Sequence, residues 1–169
     1  YTGVPDSLLK EFNNVILLNS LDKNNIITCN EGSAIALATG YYLSTNNIPL
    51  VYLQNSGIGN TINPIMSLAS SNVYSIPMLL MIGWRGQPGI KDEPQHKKQG
   101  KVTIEMLETM EVPYQILSND TTNDQAKEII YKASKEALKN NTPYAIVVKK
   151  DSFSQYRINE KKIGNYELS

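Results

Sequence analysis

Residues 48–54 (IPLVYLQ) and 76–83 (IPMLLMIG) are two apolar runs of strand length, and they decide the fold class. Neither run alternates apolar with polar residues, so both strands are expected to be covered on both faces. Between these runs, residues 61–74 (TINPIMSLASSNVY) show a helical pattern that is interrupted or started near Pro64. Buried strands separated by helices predict an α/β fold: a doubly wound, mostly parallel sheet with helices on both faces.

The rest of the chain fits the same plan. Helical patterns occur at 7–18, 31–43, 102–110 and 123–140, and short strands are expected at 25–29, 114–117 and 144–150. Thr121, Thr122 or Asn123 is expected to cap the last helix, because a side-chain oxygen there accepts from unpaired amides of the first turn. The chain turns polar from Asp151, so residues 1–150 are predicted to form one domain and residues 151–169 a linker.

Composition narrows the class of function. The 16 basic and 16 acidic side chains balance, so no bulk charge favours nucleic acid or an anionic membrane as a partner. One Cys excludes an internal disulfide and fits a reducing cytoplasm. The apolar runs are far shorter than the ~20 residues that span a bilayer, and no signal-peptide pattern opens the chain. Because the sequence begins with Tyr1 and stops within "NYELS", we expect a fragment or a processed chain.

Three segments follow predicted strands and are therefore expected at one edge of the sheet. They are 30–32 (NEG), 54–60 (QNSGIGN) and 83–101 (GWRGQPGIKDEPQHKKQGK). Ligands of open parallel sheets bind beyond the carboxyl ends of the strands, which is that edge. The third segment holds the chain's only Trp and only His, and it exceeds the ~4 to 6 residues of an ordinary connection.

Glu31 opens a helix of small residues and has two readings. A carboxylate in the first turn complements the helix dipole by about 0.5 kcal/mol, which is a purely structural role. Partial burial at the same place makes the pKa and the hydrogen bonds of a carboxylate useful for chemistry. The helix wall is thin enough for a neighbouring chain or ligand to approach, with small residues at Ala34, Ala36, Ala38 and Gly40.

Gly57 and Gly59 lie between a predicted strand and a helix. Their pattern lacks the third Gly of a dinucleotide-binding fingerprint, and no acidic residue ends the next strand to bind a ribose. No Gly-Lys-Ser/Thr follows, which excludes a Walker loop. A tight turn and a ligand held against bare backbone both remain open.

The long segment gathers charges of both signs. Arg85 is suited to grip an oxyanion with two parallel hydrogen bonds, while nearby lysines act as point charges at Lys91, Lys97 and Lys98. Asp92 and Glu93 oppose these cations, so part of the set is expected to pair internally.

Catalysis by the protein's own side chains has few candidates. Histidine is the side-chain type whose ordinary pKa lies near neutrality, so His96 is suited to act as acid, base or donor, although a lone loop histidine is often a solvated bystander. Cys29 is expected to be nearly buried at a strand end, with nothing to activate it. One His and one Cys make no zinc site, and no G-x-S-x-G elbow occurs. An enzyme of this sequence therefore needs a cofactor to supply the reactive atom.

Together these segments resemble the pyrimidine-binding domain of thiamine-diphosphate-dependent decarboxylases. Residues 30–42 (NEGSAIALATGYY) resemble the Glu-led helix of that family, and residues 55–63 (NSGIGNTIN) resemble its S-G-x-G-x-T turn. Residues 3–9 (GVPDSLL) are similar to the family segment that carries an active-site Asp, which matches Asp6. Residues 84–103 (WRGQPGIKDEPQHKKQGKVT) resemble the phosphonopyruvate decarboxylases within the family.

The resemblance implies a reaction and roles for three residues. Glu31 hydrogen-bonds the aminopyrimidine ring of thiamine diphosphate, favours its imino tautomer and so helps to form the thiazolium ylid. A 2-oxo acid then loses CO2 and leaves as an aldehyde. The specific expectation is phosphonopyruvate converted to phosphonoacetaldehyde in phosphonate biosynthesis. Asp6 and His96 are expected to handle protons near the substrate.

The resemblance also implies two sets of binding residues. The wall around the pyrimidine is expected from Glu31 together with Gln54, Asn55, Ser56, Gly57 and Gly59. The phosphonate of the substrate is expected to meet Arg85, Lys91, Gln95 and Lys97.

The diphosphate half of the cofactor site is expected elsewhere. The family binds diphosphate and Mg²⁺ through a second domain marked by Gly-Asp-Gly, which this sequence lacks. Asn-Asn pairs such as those at 24–25, 46–47 and 140–141 carry no meaning without that motif. We therefore expect no metal ligand here, a diphosphate-binding domain contributed by a neighbouring chain, and a homo-oligomer, with neither nucleic acid nor membrane as a partner.

Three other functions stay open at this point. A sulfopyruvate decarboxylase α-type subunit shares the Glu-led helix and the glycine turn, and the long segment argues against it. A catalytically silent pairing or regulatory domain is disfavoured because Glu31 is present together with the charged segment. A nucleotide-binding Rossmann domain is disfavoured by the incomplete glycine pattern.

Overall fold

A computed structural model describes residues 1–20 and 24–156 of the chain. The strands, in chain order, are β1 (Thr2–Gly3), β2 (Ile26–Ile27), β3 (Leu50–Gln54), β4 (Met78–Gly83), β5 (Tyr114–Leu117) and β6 (Pro143–Val148). The helices are α1 (Lys10–Asn19), α2 (Glu31–Thr45), α3 (Ile58–Pro64), α4 (Pro94–Thr109) and α5 (Asn123–Asn140). Short 3-10 turns occur at Ser7–Leu9 and Asn55–Gly57, and a π-helical turn at Ile65–Ala69.

The strands form one parallel sheet in the order β2-β1-β3-β4-β6-β5. Every residue of β4 and β6 is buried, because helices cover both faces of the sheet, as the continuous apolar runs predict. In β3, Val51 and Leu53 pack toward α2, α3 and α4, whereas Tyr52 packs toward α1 and α5. The predicted doubly wound α/β fold is confirmed.

Three local features differ from the sequence prediction. The pattern misses β1, which has only two residues, and β2 is shorter than the predicted strand at 25–29. The predicted interruption near Pro64 is confirmed, because helix α3 ends at Pro64 and continues as a π-helical turn, since Pro lacks the amide that a regular helix needs. Helix α4 begins at Pro94, eight positions before the predicted start, because Pro is well suited to the first helical position.

The structure describes the predicted linker only as far as Tyr156. Phe153 packs against the α1 side of the core and stacks on Phe12 with ring centroids 6.2 Å apart. Residues 157–169 of the predicted linker lie outside the described residues.

At α5, Thr122 forms a capping box with Gln125, which confirms one of the three expected caps. Within the described ranges, no helix is long and apolar enough to cross a membrane.

The order of the strands locates a crevice. The chain moves from β1 outward to β2 and then returns to the other side of β1 to form β3, so the direction of winding reverses between β1 and β3. Ligands in open α/β sheets bind at such a switch point, beyond the carboxyl ends of the strands. Because the strands are parallel, the segments that follow β1, β2, β3 and β4 all begin at this edge.

Candidate functional site

Glu31 is held over the glycine turn that follows β3. Asn30 caps α2 by accepting a hydrogen bond from the Ser33 amide at 2.8 Å, which fixes Glu31 in the first turn. Glu31 Oε2 accepts a hydrogen bond from Asn60 Nδ2 at 2.7 Å. The carboxylate lies against the bare backbone of Gly57, where an added methyl group would overlap Oε1.

The second oxygen of Glu31 is available to a ligand. Among the described residues, Glu31 Oε1 has no hydrogen-bond partner, and the side chain is only partly buried. A protonated ring nitrogen or an amino group of a pyrimidine suits such an acceptor. Gly59 leaves open space beside the turn, with no atom within 4 Å of the place a Cβ would occupy. This arrangement fits the pyrimidine half of thiamine diphosphate.

Asn55 joins the glycine turn to the long segment after β4. Its buried side chain donates to the Arg85 carbonyl and to Thr103 Oγ1, both at 2.8 Å, and accepts from the Arg85 amide at 3.1 Å. Its own carbonyl accepts from Gln99 Nε2 at 3.1 Å. Both amide hydrogens of Asn55 are used inside the protein, so its contribution to a cofactor wall is to hold the turn in place.

Gln54 and Ser56 flank that hub and face outward. Gln54 Nε2 donates to Ser56 Oγ at 2.6 Å, and Ser56 is exposed at the edge of the sheet. The roles of these two residues, of Asn55 and of both glycines in binding the cofactor remain predictions.

Asp6 follows β1 and is buried, with 6 % of its surface exposed. Its Oδ2 accepts from the Leu8 amide at 3.2 Å and lies against Gly83, where no side chain fits. Burial raises the pKa of Asp6, while the Leu8 hydrogen bond and the charges of Arg85 and His96 oppose the rise. Arg85 and His96 therefore both lie close enough to Asp6, at the end of β4, for their charges to favour its carboxylate form.

Arg85 is paired inside the long segment rather than free. Its Nε and Nη2 donate to the two carboxylate oxygens of Asp92, the former at 2.9 Å and the latter at 2.6 Å, and its Nη1 donates to Ser7 Oγ at 3.0 Å. Asp92 also accepts from the Gly86 amide at 2.7 Å. These bonds hold the pKa of Asp92 well below its usual range and raise the pKa of Arg85. The predicted internal pairing is present, and it uses the cation best suited to a bidentate anion.

The segment between β4 and α4 lies tightly on the first half of the helix. Gly86 packs against the His96 carbonyl, and Gly100 packs against Gly86, so neither position has room for a Cβ. Gly86 also has a φ of +66°, which favours glycine. Trp84 Nε1 donates to the Gly100 carbonyl at 2.8 Å. The segment is thus a fixed part of the site.

Helix α4, rather than a loop, carries three of the predicted residues. Gln95 and Lys97 are exposed in its first turns, and His96 is half-buried. Within the described residues, no hydrogen bond or ion pair links Glu31 directly to Asp6 or His96. The edge of the sheet therefore holds two groups, one around Glu31 and one around Arg85, which Asn55 connects.

Cys29 and metal binding complete the survey of the predicted chemistry. The expectation that Cys29 is nearly buried is wrong: the residue is exposed because β2 is short and lies at the edge of the sheet. Its sulfur lies 3.8 Å from Ser33 Oγ. In residues 1–20 and 24–156, no cluster of three or more His, Cys, Asp or Glu side chains is arranged to hold a metal ion.

Sequence reasoning missed several residues that build the site. Asn60 binds Glu31, Thr103 binds Asn55, and Gly83 makes room for Asp6. The glycines at the strand end and in α4 were the available signal, because each marks a close approach whose partner only the fold reveals.

Comparison with known proteins identifies the class. Residues 1–111 match the family "Thiamine pyrophosphate enzyme, N-terminal TPP binding domain", and the chain belongs to this family. The resemblance stated from the sequence is thereby confirmed. The chain also superimposes on benzoylformate decarboxylase from Polynucleobacter necessarius with a TM-score of 0.66 at 18 % identity, covering 94 % of this chain and 28 % of that one. That likeness supports the fold.

Two named relatives are similar in sequence. Phosphonopyruvate decarboxylase from Streptomyces viridochromogenes is 35 % identical over 122 residues, which are 72 % of this chain and 30 % of the relative. Sulfopyruvate decarboxylase subunit alpha from Methanococcus maripaludis is 37 % identical over 147 residues, which are 87 % of this chain and 83 % of the subunit. The chain thus spans under a third of the first relative and most of the second.

Proposed function

We propose that this chain supplies the pyrimidine half of the cofactor site in a thiamine-diphosphate-dependent decarboxylase that acts on phosphonopyruvate. The reaction releases CO2 and phosphonoacetaldehyde and belongs to phosphonate biosynthesis. The observation that carries the proposal is the Glu31 carboxylate, fixed over Gly57 by Asn60 with Oε1 left free. Thiamine diphosphate, when bound, supplies the electron sink that a 2-oxo acid needs to lose CO2.

Glu31 is the residue that acts on the cofactor. Its Oε1 accepts a hydrogen bond from the aminopyrimidine ring and shares a proton with it, while Asn60 keeps Oε2 from turning away. Gly59 leaves open space for the ring beside the turn, Gly57 makes room for the Glu31 carboxylate, and Gln54 and Ser56 border the ring. Asn55 fixes the turn on which all of them stand.

Asp6 and His96 are proposed to move protons at the reacting carbon. Burial raises the pKa of Asp6, so its carboxyl holds a proton closer to neutral pH than an exposed aspartate does. His96 is half-buried at the start of α4 and close enough for its charge to act on Asp6. Lys91, Gln95 and Lys97 lie on the segment after β4 and the first turns of α4 and are proposed to meet the substrate's anionic tail, with Arg85 beside them.

The diphosphate and Mg²⁺ are proposed to bind to another domain. That domain is either fused to this one or carried by a second subunit, and it completes the site across an interface with a neighbouring chain. We propose a homo-oligomer for the fused arrangement, in which each copy completes the site of its neighbour. The single cysteine is free and exposed, which suits a reducing compartment, and we place the protein in the cytoplasm.

A sulfopyruvate decarboxylase α-type subunit is the second candidate. The observation that favours it is length, since the chain covers 83 % of the alpha subunit from Methanococcus maripaludis. The segment from Trp84 to Lys101 supports phosphonopyruvate instead. The two substrates differ only in the anionic group, phosphonate or sulfonate, so one substrate panel separates the candidates.

The test is decarboxylation by the complete protein with thiamine diphosphate and Mg²⁺, using phosphonopyruvate, sulfopyruvate and pyruvate. Glu31→Gln is expected to lower kcat by about 10²- to 10⁴-fold, the range of a lost proton-transfer group. Glu105→Gln, an exposed position on α4, is the matched control and should keep full activity. Cofactor binding without decarboxylation of any of the three acids would overturn the proposal, and preference for sulfopyruvate would select the second candidate.

A further inference from the structure

Arg85 is poorly placed to be the main anion receptor. Three of its nitrogens donate to Asp92 and Ser7, and the Arg85–Asp92 pair is neutral as a unit. The side chains of Arg85 and Asp92 are only 22 % and 14 % exposed. Releasing Arg85 for a substrate would leave Asp92 partly buried without its partner, which is unfavourable. The cation that recognises an anionic tail must therefore be sought among the neighbours.

A cavity of about 900 Å³ lies beside this pair, between the segment after β4, the start of α4 and the end of β6. Four lysines line it: Lys91, Lys97, Lys101 and Lys150. Once the Arg85–Asp92 pair is set aside, Glu93 is the one carboxylate among the described lining residues. We name this cavity the lysine basin.

The lysines of the basin are free to bind an anion. In the described part of the chain, none of the four lies within 4.0 Å of a carboxylate; the other ion pairs are on α5. Lys97 and Lys101 are four residues apart on α4 and therefore share a face of the helix, whereas Lys98 does not line the basin. Four unpaired ammonium groups around one space raise the local concentration of anions.

The basin begins next to the groups proposed to move protons. Arg85 lines the basin and donates to Ser7, the residue after Asp6. The rim is fixed because the Arg85–Asp92 pair and the Gly86–Gly100 contact hold the segment on α4. A short 2-oxo acid with a charged group on its third carbon needs this proximity between its reacting end and its anionic end.

We propose that the lysine basin binds the phosphonate or sulfonate of the substrate, and that Arg85 with Asp92 shapes its rim. This inference rests on the proposed function. Lys97 and Lys101 determine specificity for an anionic 2-oxo acid over one with a neutral tail. The basin lysines act as point charges on flexible stems, which is how lysine binds a phosphate-like anion.

The first experiment measures KM with the complete protein for three variants, Lys97→Gln, Lys101→Gln and the control Lys98→Gln. Each basin substitution is expected to raise KM for the anionic acid by ~5-fold, about the effect of one close charge in water, with kcat nearly unchanged. Lys98→Gln should leave KM as it is. Equal effects of Lys98→Gln and Lys97→Gln, or no effect of either basin variant, overturn the inference. Running phosphonopyruvate and sulfopyruvate in parallel distinguishes the two anionic groups.

A second experiment separates failure of the basin from failure of the proposed reaction. Binding of methylphosphonate and methanesulfonate to the complete protein is measured by NMR titration, without turnover. If no 2-oxo acid is decarboxylated but methylphosphonate binds and Lys97→Gln weakens that binding while Lys98→Gln does not, the basin stands and the reaction falls. If decarboxylation proceeds but neither probe binds and KM is insensitive to the basin lysines, the reaction stands and the basin falls.

Discussion

Glu31 and Arg85 lie at the same edge of the sheet, yet the first keeps a free acceptor while the second has its donors occupied. Glu31 is fixed by one hydrogen bond from Asn60 and by contact with Gly57. Arg85 is fixed by two bonds to Asp92 and one to Ser7. The difference teaches that charge alone does not identify a ligand-binding residue. A better criterion is a polar atom that has no hydrogen-bond partner but belongs to a side chain whose other polar atom is held by one.

Asn55 shows how the two regions depend on each other. It belongs to the turn beneath Glu31, yet its side chain binds the backbone of Arg85 and the hydroxyl of Thr103. Movement of the long segment is therefore transmitted to the turn that supports the carboxylate. Rigid support beneath an open group is the arrangement that precise positioning of a cofactor requires.

Of the changes that separate the two regions, the largest effect on activity is expected from one methyl group added beside Glu31. Gly57→Ala places a Cβ against Glu31 Oε1 and displaces the carboxylate, and a misplacement of about 1 Å lowers a rate by ~100-fold. The φ of Gly57 is −73°, so alanine introduces no backbone strain. Steady-state decarboxylation measures the effect, and Gly40→Ala, at an exposed position of α2 with no atom within 4 Å of its Cβ, is the control. Equal activities of the two variants would show that Glu31 is not held by this contact.

The next effect is on stability and concerns the link between the regions. Asn55→Ala removes three side-chain hydrogen bonds and leaves the Arg85 amide and carbonyl without partners, which costs about 2–4 kcal/mol of unfolding free energy. Urea denaturation measures this loss. Ser56→Ala, at the exposed neighbour, should change stability by no more than about 0.5 kcal/mol. A loss at position 55 no larger than that at position 56 contradicts the role of Asn55 as the link.

A smaller effect on stability is expected at the Arg85–Asp92 pair. Asp92→Asn weakens the bonds to Arg85 and should lower the free energy of unfolding by about 1–2 kcal/mol at neutral pH. The pKa of Asp92 is lowered in the folded state, so its contribution is complete above the unfolded value near ~4 and is lost as the pH falls below it. Urea denaturation at pH 7 and at pH 3 tests both statements. Asp120→Asn, at an exposed turn, serves as the control; a variant at 92 that remains as acid-sensitive as the parent contradicts the assignment.

The smallest effect on stability has the opposite sign. Burial raises the pKa of Asp6, so its charge destabilises the fold, increasingly as the pH rises from the unfolded value through the folded one. Asp6→Asn keeps an acceptor for the Leu8 amide and removes the charge, so it should raise the melting temperature at pH 8 more than at pH 4. Decarboxylation by the same variant should fall. A melting temperature that drops at pH 8 would mean that the charge is stabilised by Arg85 and His96 after all.

The fold was predictable from hydrophobic pattern because the central strands are buried on both faces. The runs at 48–54 and 76–83 have strand length and no alternation, and the start of α5 is marked by three candidate caps, of which Thr122 is the one used. The two-residue β1 was not predictable, since two residues carry no period. The first turns of α4 were missed because polar and charged side chains there give no apolar face.

The sequence predicts which segments form the site, but it does not predict which residues of those segments contact one another. Glu31, Asp6 and Arg85 follow strands, and the parallel topology brings such positions to one edge. Which charge pairs with which depends on distances that only the folded chain sets. Arg85 pairs with Asp92 although Glu93 is the next residue, and Glu31 is bound by Asn60, which lies 29 positions away in the sequence.

Trp84 gives the protein an optical reporter of its own. It is the only tryptophan of the chain, it is partly exposed, and its indole N–H is bound to the Gly100 carbonyl between β4 and α4. An indole in that position emits according to the polarity of its surroundings and the integrity of that bond. Filling of the neighbouring lysine basin, or loosening of the segment beside it, should therefore be visible as a change in intrinsic fluorescence without any label.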